Sequence, residues 1–196
     1  MNYWVLLPAG GDEGAVLDAL PQGSPDSWHF FDGVPLASKF PQGGTMEFSP
    51  NFLEQRTVFD FVPHILGMLV VSIKVRQILE SLGAEDCEFL PVTILDHKNK
   101  VASREHFILN LLNSQDVIDM EKSKYKINRL AKTQIARIQH LVLKQDGIDA
   151  KAVIFRARTK MNQYFINQAA HDAFAKEGVT GYMAVPAPGW DGFDVY

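Results

Sequence analysis

Residues 71–91 read VSIKVRQILESLGAEDCEFLP, and residues 166–186 read INQAAHDAFAKEGVTGYMAVP. These two stretches carry similar residue types at the same spacing, with a constant offset of 95 residues. The match indicates one structural unit that the chain uses twice. A serine or asparagine, then a glycine, then a proline take equivalent positions in each: Ser72, Gly83 and Pro91 in the first, and Asn167, Gly178 and Pro186 in the second.

The spacing within each stretch predicts a strand, a helix and a second strand. Ser72 and Asn167 end short apolar runs, and their side chains can cap a helix by accepting a hydrogen bond from its first N–H groups. Apolar side chains follow at helical spacing. The glycine stands where a helix end favours a left-handed backbone. The proline near the end of the next apolar run suits the edge of a sheet, where a missing N–H is tolerated.

Apolar runs elsewhere predict further strands and a hairpin over residues 87–112. Residues 15–20 predict one short helical turn, and residues 116–121 predict a turn leading into a helix, because carboxylates are favoured at a helix N-terminus. Strands outnumber helices and the helices lie between strands. The predicted fold class is therefore α+β, with a mixed, largely antiparallel sheet or sheets and the twice-used strand–helix–strand unit. The additional strands are expected at residues 3–7, 106–112, 135–143 and 153–155.

The composition changes near residue 60. Residues 21–50 are rich in glycine and proline and contain scattered aromatic residues. A long irregular segment in a compact protein usually has a function, so we expect this one to carry a specific surface. We divide the chain into residues 1–60, a strand followed by aromatic, glycine- and proline-rich loops, and residues 61–196, an α+β domain that contains both repeated stretches.

Charge is distributed unevenly along the chain. The net charge is −4, but residues 1–66 hold eight acidic and two basic residues, and the remainder holds 15 acidic and 17 basic ones. An acidic N-terminal part would repel phosphates, so we predict no nucleic-acid partner. It suits a basic protein surface instead, although a merely soluble surface explains the same charge.

The compartment follows from what the sequence lacks. Cys87 is the only cysteine, so neither an internal disulfide nor a cysteine metal cluster can form. The first residues carry no basic segment and only a short apolar run, unlike a signal peptide. No stretch approaches the roughly 20 apolar residues that a membrane span needs. We therefore expect a soluble, cytoplasmic protein that does not bind a membrane.

The sequence contains no recognisable catalytic or metal-binding motif. Its six histidines include no helical i, i+4 pair. Arg156 and Arg158 alternate along a strand, and a solvated sheet face explains them better than an anion site. His171 and Asp172 fit a solvated helix face better than an acid–base pair, and Cys87 fits an inert buried thiol. We predict no enzyme, no catalytic residue, no metal ligand and no cofactor.

The order of several motifs along the chain carries a family resemblance. In sequence they are VS at 71–72, EFLPV at 88–92, FILNLL at 107–112, DVID at 116–119, Ser123 with Tyr125, IFR at 154–156, Ile166, Gly178 and TG at 180–181. Together they resemble the immunity-protein-11 family of predicted polymorphic-toxin immunity proteins, also named after a myxobacterial immunity protein. The resemblance covers about residues 60–185 and leaves the first 60 residues outside.

The resemblance implies a cytoplasmic antidote that is encoded beside a secreted toxin of a type VI or contact-dependent system. Such a protein binds the cognate toxin and blocks it in the producing cell. The resemblance implies no catalytic residues and does not identify the toxin. A nuclease toxin with a basic surface would suit the acidic N-terminal part, and the first 60 residues then become candidates for toxin selection.

We predict two groups of partner-binding residues from their setting in polar loops. The first is Asp26, Trp28 and Asp32 in the aromatic loops, and the second is Trp190, Asp191 and Asp194 in the tail. Aromatic residues supply interface anchors and carboxylates steer a basic partner. Two other hypotheses remain open: a small-molecule-binding protein or enzyme with a pocket between the two repeated stretches, and a structural module without inhibitory function.

Overall fold

The computed structural model describes residues 2–144 and 146–192, which form twelve strands and two α-helices. This mixture confirms the α+β prediction. Two short 3-10 helices, Ser27–Phe31 and Ala37–Lys39, lie between the first two strands. The elements are β1 (Tyr3–Pro8), β2 (Thr45–Glu47), β3 (Phe61–Val62), β4 (Leu69–Ser72), α1 (Ile73–Ser81), β5 (Cys87–Leu95), β6 (Val101–Leu111), β7 (Ser114–Gln115), β8 (Lys124–Ile127), β9 (Ile135–His140), β10 (Ile154–Ala157), β11 (Lys160–Asn167), α2 (Gln168–Lys176) and β12 (Tyr182–Pro186).

Both similar stretches fold as strand, helix and strand, namely β4–α1–β5 and β11–α2–β12. The side chains of Ser72 and Asn167 each accept a hydrogen bond from the backbone N–H three residues later, at 3.4 Å and 2.9 Å. Gly83 and Gly178 follow the helices with φ of 81° and 59°, as a glycine helix stop requires. Each helix has nine residues, and no helix of the described residues is long and apolar enough to cross a membrane.

The strands form two five-stranded sheets and one two-stranded hairpin. The first sheet has the order β12–β1–β11–β10–β7, and the second has the order β2–β5–β6–β4–β3. In each strand–helix–strand unit the two strands run parallel and flank one antiparallel strand, which is β6 in the second sheet and β1 in the first. Within the described residues the β7–β10 and β2–β5 ladders are parallel and the others antiparallel, so the sheets are mixed and largely antiparallel, as predicted.

Alternation along the strands divides the apolar side chains among three clusters. The central cluster joins one face of each sheet to both helices, and includes Leu6 and Ile166 from the first sheet and Val71 and Leu109 from the second. The intervening side chains point to the outer faces. N-terminal loops cover the outer face of the second sheet, and the β8–β9 hairpin with residues 187–190 covers that of the first.

Asp60 connects the two strand–helix–strand units. Its carboxylate accepts hydrogen bonds from Ser72 Oγ at 2.7 Å and Lys74 Nζ at 2.9 Å, and from the backbone N–H and the hydroxyl of Thr180, each at 3.0 Å. Burial raises the pKa of Asp60, but these hydrogen bonds outweigh burial and hold the pKa below its usual value. The start of α1 and the turn after α2 therefore share one carboxylate.

Two predicted helical segments are wrong. Residues 15–20 contain no helical turn, because Leu17 is fully buried and forms bridges with Phe48 and His64 instead. Residues 116–121 do not lead into a helix. The Asp119 carboxylate accepts hydrogen bonds from the next residues' N–H groups, those of Glu121 and Lys122, both at 3.1 Å, which closes a turn without continuing it.

Candidate protein-binding surface

The segment from residue 26 to residue 32 places an exposed tryptophan between two carboxylates. Trp28 is 58% exposed and lies on the 3-10 helix Ser27–Phe31. Asp26 directly precedes this helix, Asp32 directly follows it, and both are exposed. We call these three residues the Trp28 surface. A large amphipathic ring flanked by charged groups has the composition of an interface anchor.

A groove adjoins the Trp28 surface. It has a volume of about 620 Å³, and its lining includes Asp26, His29, Asp32 and Lys39. His29 Nδ1 lies 3.4 Å from Asp32 Oδ2. The groove is therefore polar, and it offers both carboxylates of the Trp28 surface to a partner that contacts the indole.

A buried arginine holds this segment from beneath. Arg156 on β10 is 1% exposed. Its Nη1 donates to the Phe30 carbonyl oxygen at 2.8 Å, and its Nη2 donates to the Leu111 carbonyl oxygen. Burial lowers the pKa of Arg156, against opposing contributions from Tyr164 and Asp32. A guanidinium remains charged in proteins, so the interior holds a charge whose hydrogen bonds fix the backbone of a surface segment.

The burial of Arg156 overturns the expectation of a solvated sheet face for Arg156 and Arg158. β10 lies between β11 and β7, and both faces of the first sheet are covered, so a side chain in its middle has no route to solvent. Arg158 lies beyond the end of β10 and is exposed. The two arginines therefore have different environments despite their i, i+2 spacing.

A second polar pair holds the chain just beyond the Trp28 surface. The Glu88 carboxylate accepts hydrogen bonds from the backbone N–H groups of Leu36 at 2.7 Å and Ala37 at 3.3 Å. Asn110 Nδ2 donates to the Val34 carbonyl oxygen at 2.9 Å and to Glu88 Oε2 at 3.0 Å. Because both ends of the segment are fixed in the isolated protein, binding through it would cost little conformational entropy.

The structure places the predicted tail residues elsewhere. Trp190 is 5% exposed and packs in the cluster on the outer face of the first sheet. Its carbonyl oxygen accepts a hydrogen bond from Leu141 N at 2.8 Å, so this part of the tail is docked on the fold and the indole has no exposed face to offer. Asp191 is exposed. Asp194 lies outside the described residues.

A large cleft was missed by sequence reasoning. It has a volume of about 980 Å³ and is lined by the ends of β1 and β11, residues 63–68 and part of β9. Phe52, Ile65 and Leu66, which are 41%, 53% and 42% exposed, contribute to its apolar lining. Because the lining comes from segments far apart in the chain, no local pattern points to this cleft.

The ionisable side chains do not form a reactive centre in the described part of the chain. No group of three or more histidine, cysteine, aspartate or glutamate residues there is placed to hold a metal ion. Burial, with nearby carboxylates, raises the pKa of Cys87 to about 11, which disfavours the nucleophilic thiolate. His171 stacks on Trp4 with ring centroids 3.8 Å apart, and its Nδ1 lies 3.0 Å from Asp172.

Comparison with known families supports a binding protein. The family model described as the immunity protein family Imm11 matches residues 12–186. No curated protein matches the chain. The match confirms the resemblance seen in the motifs, and it begins near residue 12, so it includes the Trp28 surface as well as both strand–helix–strand units. The chain belongs to the Imm11 immunity protein family.

Proposed function

We propose that this immunity protein is a cytoplasmic antidote that binds a secreted toxin through the Trp28 surface. The observation that carries this proposal is an indole that is 58% exposed and yet sits on a segment fixed by a buried arginine. Burying a charged group has a free-energy cost unless hydrogen bonds compensate it. A rigid, exposed aromatic residue on such a support fits a role in recognition.

Shape and charge support the choice of this surface. Specific interfaces commonly bury about 800 Å² on each partner and concentrate their energy in a few aromatic or arginine anchors. Trp28 supplies one anchor, and the groove beside it extends the contact area. The acidic N-terminal part would attract a basic toxin and accelerate its association. A nuclease, which must bind phosphates, has such a surface, and delivery by a type VI or contact-dependent system is consistent with the family.

The N-terminal residues select the toxin in this proposal. Residues 1–60 contain the Trp28 surface and most of the loops on the outer face of the second sheet. The α+β part from residue 61 onward supplies the support, through Arg156, Glu88 and Asn110. Exchange of residues 21–50 between two members of the family should therefore exchange their toxin specificity.

The first test is co-expression with the product of the neighbouring gene. A lethal neighbour whose toxicity is relieved by this protein, with both proteins co-purifying, supports immunity by direct binding. A harmless neighbour, or failure of rescue with both proteins well expressed, contradicts that pairing and turns attention to a toxin encoded elsewhere.

Replacing Trp28 with alanine is expected to weaken toxin binding by about thirtyfold, which corresponds to about 2 kcal/mol for an anchor residue. Because the indole is mostly exposed, the variant should remain folded. Calorimetric titration measures the affinity. Phe52→Ala is the matched control, since Phe52 is another exposed aromatic residue but lines the cleft. A larger loss in the control than in the Trp28 variant would move the interface to the cleft.

Replacing both Asp26 and Asp32 with lysine is expected to slow toxin association by about tenfold at low salt, with a smaller effect at high salt, because steering by exposed charges is screened. Stopped-flow mixing measures the rate. Glu54→Lys with Glu121→Lys produces the same change in net charge at two other exposed positions. Equal rates for the two double variants would show an effect of net charge alone and remove the Trp28 surface from steering.

A second candidate function uses the cleft. Its volume of about 980 Å³ and apolar lining resemble those of small-molecule sites. A small-molecule-binding protein or an enzyme would place its ligand there, between the two strand–helix–strand units. A thermal-shift screen with the purified protein tests this candidate: a stabilising ligand whose effect disappears in Phe52→Ala favours it, and a full library without a hit disfavours it.

A further inference from the structure

Residues 122–144 contain seven lysine and arginine residues and no aspartate or glutamate, in a chain whose net charge is −4. These residues form β8, β9 and the loop between them, which we call the basic hairpin. It lies on the outer face of the first sheet, whereas the Trp28 surface belongs to the loops over the second sheet. The basic residues are Lys122, Lys124, Lys126, Arg129, Lys132, Arg137 and Lys144.

The cations at the base of the basic hairpin form ion pairs. Lys122 Nζ lies 3.1 Å from Asp119, and Lys144 Nζ lies 2.6 Å from Asp116. Along β8 and the loop, four cations have no carboxylate within 4.0 Å among residues 2–144 and 146–192: Lys124, Lys126, Arg129 and Lys132. All four side chains are exposed. The outer part of the hairpin is therefore an uncompensated positive surface on an acidic protein.

β8 is also an open strand edge. In the described part of the chain it pairs with β9 alone. β9 is the inner strand, because Ile135 and Ile138 are buried in the cluster under the hairpin and Ile135 N donates to the Thr159 carbonyl oxygen at 2.6 Å. An edge strand offers unpaired backbone groups to an added strand. Lysines on it disfavour pairing with a like strand but favour an acidic one.

The loop at the tip holds an apolar side chain in solvent. Leu130 is 98% exposed, and Ile127 at the end of β8 is 40% exposed. The loop is nevertheless ordered by its own hydrogen bonds, since Asn128 Oδ1 accepts from Leu130 N at 2.9 Å and from Ala131 N at 3.1 Å. The aliphatic groups are thus presented among the cations by a formed turn.

We propose that the basic hairpin is a second docking site, which binds an acidic, extended segment of a partner protein by strand addition to β8. Carboxylates of the segment pair with the lysines of β8 and with Arg129, and an aliphatic residue of the segment covers Leu130. This mode combines backbone hydrogen bonds for affinity with side-chain contacts for selectivity.

Two other occupants fit less well. A single-stranded nucleic acid is usually held by aromatic side chains that stack on bases, whereas the exposed apolar residues of this hairpin are aliphatic. The acidic remainder of the protein would also repel a long polyanion more strongly than a short segment. A second copy of the chain would place lysines opposite lysines in an antiparallel β8–β8 pair, which is unfavourable.

The test uses the full chain and a fluorescently labelled peptide of alternating glutamate and leucine, with oligothymidylate of equal charge as the competing probe. Fluorescence anisotropy at physiological salt measures both affinities. Lys124→Glu with Lys126→Glu is expected to weaken peptide binding at least tenfold, and glutamine at the same positions should give an intermediate loss. Lys98→Glu with Lys100→Glu, in the exposed β5–β6 turn, is the matched control and should change the affinity less than twofold.

Hydrogen exchange distinguishes strand addition from loose charge pairing. Bound peptide is expected to protect amides of residues 124–127. Absence of that protection, equal losses in the hairpin and control variants, no peptide binding, or tighter hairpin-dependent binding of oligothymidylate would each overturn the proposal. Because these measurements need no toxin and leave Trp28 unchanged, their failure is distinct from failure of the Trp28 surface.

Discussion

Substituting alanine for Gly181 is expected to lower the free energy of unfolding by about 3 to 4 kcal/mol. Gly181 has a φ of 78°, and alanine in this left-handed conformation costs about 1 to 2 kcal/mol. The added Cβ would overlap the Phe61 carbonyl oxygen and lie 2.5 Å from Phe59 Cβ, and overpacking of this kind costs about 1 to 3 kcal/mol. Urea denaturation followed by circular dichroism measures the change.

Gly178→Ala is the matched control for this prediction. Gly178 has a φ of 59° and precedes Gly181 in the same connection, but nothing lies within 4 Å of the Cβ that alanine would add. Only the backbone term remains, so we expect a loss of about 1 to 2 kcal/mol. Equal losses for the two variants would contradict the packing argument.

The position of Gly181 explains why the effect should be global. Its carbonyl oxygen accepts a hydrogen bond from Ala9 N at 2.8 Å, and the neighbouring Thr180 carbonyl oxygen accepts one from Phe61 N at 3.0 Å. The turn after α2 therefore contacts the end of β1 in the first sheet and β3 in the second. A shift of this turn would disturb both sheets and the hydrogen bonds of Asp60.

The local signals in the sequence predict the strand–helix–strand elements well. Ser72 and Asn167 form the expected helix caps because a cap depends only on residues three or four positions apart. The insertion of β1 between β11 and β12 was not predicted. It depends on which strand edges meet across more than 150 residues, and the apolar alternation of β1 is compatible with several neighbours.

Arg156 shows why buried polar residues escape sequence reasoning. On a strand, an arginine normally indicates a solvent-facing position. Here its acceptors are backbone carbonyl oxygens of Phe30 and Leu111, and any residue type supplies such an oxygen. The partners therefore leave no pattern in the sequence, and only the three-dimensional arrangement reveals the link between β10 and the Trp28 surface.

The two tryptophans proposed as anchors make the same point for the site. Trp28 and Trp190 both lie in segments rich in glycine, proline and aspartate, yet Trp28 is exposed and Trp190 is buried. Trp190 covers the outer face of the first sheet, which needs an apolar cover. Trp28 has no such face beneath it, because Phe30 already fills that role over the second sheet. Local composition cannot separate these outcomes.

Acidification from pH 7 to pH 4 is expected to lower the free energy of unfolding by about 3 kcal/mol through His64. His64 is 6% exposed, and burial lowers its pKa from 6.5 to about 4. Above pH 6.5 the ring is neutral in both the native and the unfolded states. Between pH 6.5 and pH 4 the unfolded ring takes up a proton and the native ring does not, so stability falls as the pH falls. Below pH 4 both are protonated and the loss is complete.

His64→Asn tests this assignment by urea denaturation at a series of pH values. His64 Nδ1 accepts a hydrogen bond from Leu66 N at 3.0 Å, and asparagine offers an oxygen in a similar position without titrating. The variant should lose about 3 kcal/mol less than the unmodified protein between pH 7 and pH 4. Burial lowers the pKa of His106 as well, so His106→Asn should flatten the profile further. Asp60 acts in a separate range, since its lowered pKa delays its loss to below pH 3.8. If His64→Asn is destabilised by acid as steeply as the unmodified protein, His64 is not the acid-sensitive group.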